Sequence, residues 1–199
     1  MPSIRAPSLR SERVLLLGLT LIVAFCSIVY ELIYSEMLRV LFGGTVLRYS
    51  ITIGLYLFSL GIGAVLYNYF DEDETNFFRI EVLLAVVGPL GLLGMILLNS
   101  VPDLQFPAKN TIVLVASHLP IVAVGILSGL EIPLLSSMVQ SERSAFSEVL
   151  GVDYFGSLVG TVVYALVLYP SMGLITAIFV LGLLNAVAAL AFSVRFTQS

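Results

Sequence analysis

Residues 148–175 read Glu-Val-Leu-Gly-Val-Asp-Tyr-Phe-Gly-Ser-Leu-Val-Gly-Thr-Val-Val-Tyr-Ala-Leu-Val-Leu-Tyr-Pro-Ser-Met-Gly-Leu-Ile. From Val149 to Tyr169 the run is apolar over about 20 residues, the length that carries a helix across the hydrocarbon of a bilayer. Gly156 and Gly160 fall on one face of that helix, a spacing that lets a second helix approach closely. Asp153 stands at its mouth, where a carboxylate has to be solvated, paired or protonated. Two readings compete for it: a member of a polar site inside a bundle, or a first-turn acid favoured by the helix dipole.

The rest of the chain extends the same pattern. Of its 199 residues 59% are hydrophobic and 11% charged, against about half and a quarter in soluble domains. The mean hydropathy is +1.06. The apolar residues come in long runs and not in the short alternating strands of a membrane barrel, so the fold class is all-α, a polytopic membrane helix bundle. Six spans are predicted, over residues 14–33 (with helical pattern continuing to the glycines at 43 and 44), 49–69, 80–98, 111–135, 149–169 and 174–192. Residues 1–13 form a cytoplasmic segment, 14–194 the bundle and 195–199 a short cytoplasmic tail. The first run is too long for a signal sequence and has no small-residue cleavage site after it, so it is read as a retained helix.

Charge orients the bundle and excludes some partners. With the N-terminus inside, Arg5, Arg10, Arg13, Arg79, Arg143 and Arg195 are cytoplasmic, and Arg39, Arg48 and Lys109 lie outside, which predicts both termini in the cytoplasm of a cell with this chain in its plasma (inner) membrane. A net charge of −4 offers no basic surface for nucleic acid. The acids at 71–74 lack the spacing of a calcium loop, and Cys26 is the only cysteine, so neither a metal site nor an internal disulfide is expected, and no cofactor. Gly61-Ile-Gly63 is no nucleotide loop, because it lies within a continuous apolar segment; Gly54, Gly61 and Gly63 are read as helix-packing positions, like Gly156 and Gly160.

The polar residues inside these runs are the candidate site. Glu31, Ser35 and Arg39 recur at steps of four on one helix face. Glu131 sits between Leu130 and Ile132 with Pro133 following, and a proline frees a backbone carbonyl one turn earlier. Glu31, Glu131 and Asp153 are therefore the candidate ligand-binding acids, with Arg39, Arg48 and Arg143 as candidate ion-pair partners. His118 reads more readily as a hydrogen-bonded packing residue than as a ligand or proton carrier.

Tyr30-Glu31-Leu32 with Arg39, the glycine-rich helix Gly54-Leu-Tyr-Leu-Phe-Ser-Leu-Gly-Ile-Gly-Ala, Gly129-Leu-Glu131-Ile-Pro133, Val152-Asp153-Tyr-Phe-Gly156-Ser-Leu-Val-Gly160 and Leu168-Tyr-Pro170-Ser-Met-Gly173-Leu follow one another in an order that resembles the membrane-embedded half of spermidine synthase-like proteins. The likeness covers about residues 15–195. In that family the helical bundle precedes a cytoplasmic aminopropyltransferase domain, and the resemblance implies that the acids matching Glu31, Glu131 and Asp153 recur. A transferase domain needs a doubly wound sheet with a glycine-rich loop, and these residues hold none, so aminopropyl transfer is not assigned to them and no catalytic residue is expected. Three functions remain: binding or translocation of a polyamine-like cation by the intramembrane acids; a structural anchor or subunit packing against other membrane proteins or its own copies; and, least supported, an intramembrane enzyme.

Overall fold

In a computed structural model of the chain, residues 6–69, 74–100, 109–139 and 143–196 are described. They form α1 (Ala6–Phe42), α2 (Val46–Leu66), α3 (Glu74–Ser100), α4 (Lys109–Met138), α5 (Arg143–Val163) and α6 (Tyr169–Phe196), with no strand among the described residues. The sequence accounts for the boundaries where a cap is visible. Gly43 takes φ 81°, open to glycine at no steric cost, and its N–H reaches back to the Arg39 carbonyl at 2.9 Å, ending α1. Thr45 then caps α2, its hydroxyl accepting from the Arg48 N–H at 3.2 Å.

Five helical segments, not six, are long and apolar enough to cross a membrane, because the last two expected spans are joined. The fifth segment runs 51 residues, Phe146–Phe196, through a π-helical turn at Tyr164–Leu168. A straight helix of that length would measure about 75 Å at 1.5 Å per residue, well beyond the ~30 Å of a bilayer core. It reverses at Gly173, whose φ of 70° and ψ of −177° lie in a region essentially restricted to glycine. Both ends of the segment consequently return to the start of α1: Arg13 pairs with Glu148, and Arg195 with Glu12 at 3.5 Å. At the opposite end the Tyr169 hydroxyl donates to Glu36 at 3.0 Å. The expected Pro170–Gly173 turn thus narrows to one residue.

Packing is pairwise around α1. α2 lies on α4, α5 on α1 and α3 on α6, and α1 also touches α4 and α6. Tyr30, Tyr34, Ile33, Leu84, Leu92, Ile121, Val124, Leu181 and Phe192 are buried in the single core. Leu57, Phe58, Leu90, Leu97, Leu158, Leu166 and Leu183 point outward, an apolar exterior compatible with embedding in lipid.

The expected packing glycines divide. Gly63 meets Gly129 of α4 so closely that a methyl placed on Gly63 would fall 2.9 Å from the Gly129 Cα; Gly156 lies against Leu21 and Ala24, and Gly160 against Phe25 and Ile28 of α1. Gly54 and Gly61 have open space around them, which corrects the reading of both as contact positions: they face outward on α2. Other small residues have roles that their spacing does not announce. Gly88 and Gly91, expected to loosen a kink beside Pro89, make room for the Tyr30 and Tyr34 rings, and Gly182 lets α6 approach the Ala85 carbonyl that Pro89 leaves without its helical donor.

Candidate functional site

The polar interior is built on α1, α2, α3 and α4. Pro133 lies within α4 without ending it, and two residues before it Glu131 is turned inward, 3% exposed. Across the α3–α4 contact stands Glu81, fully buried. The two carboxyl groups lie within hydrogen-bonding reach of one another. Both Glu81 oxygens and Glu131 Oε1 nevertheless lack any donor. Ionised carboxylates only accept, so the pair is bonded only when a proton lies between them.

Glu31 is also buried, on the α1 face between Ser27 and Ser35. Tyr56 of α2 lies within electrostatic reach of both Glu31 and Glu131. Its hydroxyl donates to the Ser27 carbonyl at 2.9 Å and sits 2.5 Å from the Ser27 hydroxyl, which is then left to donate back to it. On the other side, Tyr30 donates to the Leu84 carbonyl at 3.2 Å and receives the Asn185 amide at 3.3 Å, tying α1 to α3 and α6. Tyr34 donates to the Gly88 carbonyl at 2.7 Å. These tyrosines bury their hydroxyls at no net loss, because each reaches an acceptor.

Glu31 and Glu131 therefore lie on two sides of Tyr56. Asp153 is half-buried on α5 and within electrostatic reach of Glu131. It lies ten residues past the start of α5 at Arg143, which removes the first-turn reading. The expected ion pairs are placed otherwise. Arg39 holds Glu36 through two bonds, 2.6 Å from Nε and 2.5 Å from Nη2, leaving Glu31 without it. The shorter i,i+3 reach at the open end of α1 lets both side chains keep their charge near solvent. Arg48 donates to the Gly43 carbonyl at 3.2 Å. The Arg143 side chain lies outside the described residues, as do residues 71–73 of the acidic turn. His118 bonds the Leu114 carbonyl at 2.7 Å and Thr52 at 3.4 Å, as a packing residue does.

Sequence reasoning missed Glu81. With the third helix read as starting at residue 80, it looks like a first-turn acid of the kind a helix dipole accepts. The helix starts at Glu74, so Glu81 lies about two turns inside it. The available signal was the polar stretch Thr75-Asn76-Phe77-Phe78-Arg79, which is helix-compatible and extends the helix ahead of its apolar run.

Among the described residues no group of three or more His, Cys, Asp or Glu side chains is arranged to hold a metal ion. What the arrangement offers instead is a compact concentration of acceptors: two facing glutamates, a third beyond Tyr56, and an aspartate on the next helix. Such a site suits a cationic guest.

No family model matches the chain, and no solved structure matches it. Curated proteins do. The similarity is to polyamine aminopropyltransferases. The protein of that name from Leptospira interrogans is 34% identical over 174 residues, covering 85% of this chain and 33% of the relative. Polyamine aminopropyltransferase 2 of Ralstonia nicotianae is 33% identical over 84% of the chain, and polyamine aminopropyltransferase 1 of Streptomyces coelicolor 34% identical over 90%. The chain spans about one third of the length of these relatives.

Proposed function

We propose that the chain is the membrane-embedded module of a spermidine synthase-like protein and that its interior acids bind, or pass across the membrane, a polyamine-like cation. The observation that carries this reading is the facing pair Glu81 and Glu131, buried with three oxygens lacking a donor and no basic residue bonded to either among the described residues. Burying a carboxylate without a partner costs several kcal/mol, which an ammonium group supplying N–H donors and charge offsets. The similarity to proteins named for polyamine chemistry favours an amine over a metal ion as the guest.

In this reading the helical hairpin at Gly173 supplies the fifth and sixth crossings, and both termini lie on the cytoplasmic side with the arginine-rich loops. The lipid bilayer is the surrounding partner. A role as anchor for other membrane proteins or for further copies of the chain is the competing reading, favoured by the broad apolar exterior. Spermidine binding to the wild type, Glu81→Gln, Glu131→Gln and Asp153→Asn in lipid nanodiscs separates the two. Binding by the wild type that weakens at least tenfold in the glutamine variants is expected; equal binding by all, or binding by none, leaves the anchor.

A further inference from the structure

Glu81 and Glu131 pose a charge problem that their surroundings do not solve. The titratable groups within reach of the pair are Cys26 and Tyr30 of α1, Tyr56 of α2 and Asp153 of α5. All are neutral or acidic. From α6 comes only the Asn185 amide, already given to Tyr30. Two ionised carboxylates side by side, stripped of water and facing no positive charge, repel each other in an interior that screens poorly. Paired acids in such a place hold one proton between them.

We propose that the Glu81–Glu131 pair is a proton–cation exchange site, in which an alkylammonium group takes the place of the shared proton. This rests on the cation-binding reading above. At rest the pair carries two carboxyl groups and one proton, a net charge of −1. When the ammonium enters with all its own protons, its N–H groups donate to the carboxylate oxygens that now lack donors. The shared O–H bond breaks, its electron pair stays on the carboxylate, and the proton leaves to water. The site then holds two carboxylates and one ammonium, again a net charge of −1. Exchange leaves the buried charge unchanged, whereas adding a cation to a protonated pair, or removing a proton with nothing in return, changes it at a cost of several kcal/mol.

The structure also provides a place through which the exchange can run. Ile80 and Leu130, the residues immediately before each acid, line a cavity of about 240 Å³ together with Tyr67, Asn76 and Arg79. It lies near the end of the bundle where Tyr67 bonds Ser137, so the pair sits one wall away from an opening.

Titration calorimetry of the chain in nanodiscs, with spermidine injected at pH 7 in two buffers of different ionisation enthalpy, counts the protons. About one proton released per bound spermidine is expected, with affinity falling up to about tenfold for each pH unit of acidification, because acid refills the shared position. Glu81→Gln removes the exchangeable proton, so it should bind more weakly and release none. Spermidine binding without proton release overturns the exchange and leaves the cation site standing; no binding overturns both. Release that persists undiminished in folded Glu81→Gln and Glu131→Gln chains also overturns it. If neither variant folds, the wild-type buffer dependence decides alone.

Discussion

Replacing Gly63 by alanine tests the α2–α4 crossing, on which the placement of Glu131 depends. A methyl at Gly63 would fall 2.9 Å from the Gly129 Cα and 3.0 Å from its carbonyl carbon, and closer still to the Ile126 carbonyl oxygen. These are backbone atoms of a packed helix, so no side chain can swing aside. Moving the first contact from 2.9 Å to about 3.4 Å requires α2 and α4 to part by about 0.5 Å along the crossing, and overpacking of this kind costs about 1–3 kcal/mol. Alanine returns about 0.5–1 kcal/mol through helix propensity, leaving a net loss of up to about 2.5 kcal/mol. At about 2–4 °C per kcal/mol for a chain of this size, the Tm should fall by several degrees. Gly61→Ala is the control, two residues away with nothing near its Cβ, and should leave the Tm unchanged or raise it slightly. Cys26 is the only cysteine and is 1% exposed, so a thiol-reactive fluorophore reports unfolding without further engineering. Equal melting of Gly63→Ala and Gly61→Ala would refute the crossing, and with it the inward placement of Glu131.

Gly160→Leu should destabilise the α1–α5 contact in the same assay, because its first side-chain carbon would fall 2.6 Å from Ile28 Cγ2 and 2.9 Å from the Phe25 carbonyl; an unchanged curve would mean that this face looks onto lipid. Orientation is tested in intact cells in a Cys26→Ala background. A cysteine at Val46 should label from outside and one at Asn68 only after permeabilisation, and the reverse pattern would invert the bundle.

The sequence alone determined the class of this protein, since apolar runs of membrane-spanning length admit few folds other than a helix bundle. It also located Gly63, Gly156 and Gly160 at contacts, and the turn at Gly173. What periodicity leaves open is which face of an apolar helix turns inward, because in lipid both faces are hydrophobic and the amphipathic contrast that orients a soluble helix is missing. That is why Gly61 and Gly63 look alike in the sequence yet one faces outward and the other meets α4. Helix boundaries were the second blind spot. Short polar extensions ahead of α3 and α5 shifted the apparent starts, which hid Glu81 as a first-turn acid and made Asp153 resemble one. Only the tertiary structure could pair Glu81 with Glu131, fifty positions apart, because their meeting follows from the antiparallel packing of α3 on α4 and from no local pattern of either helix.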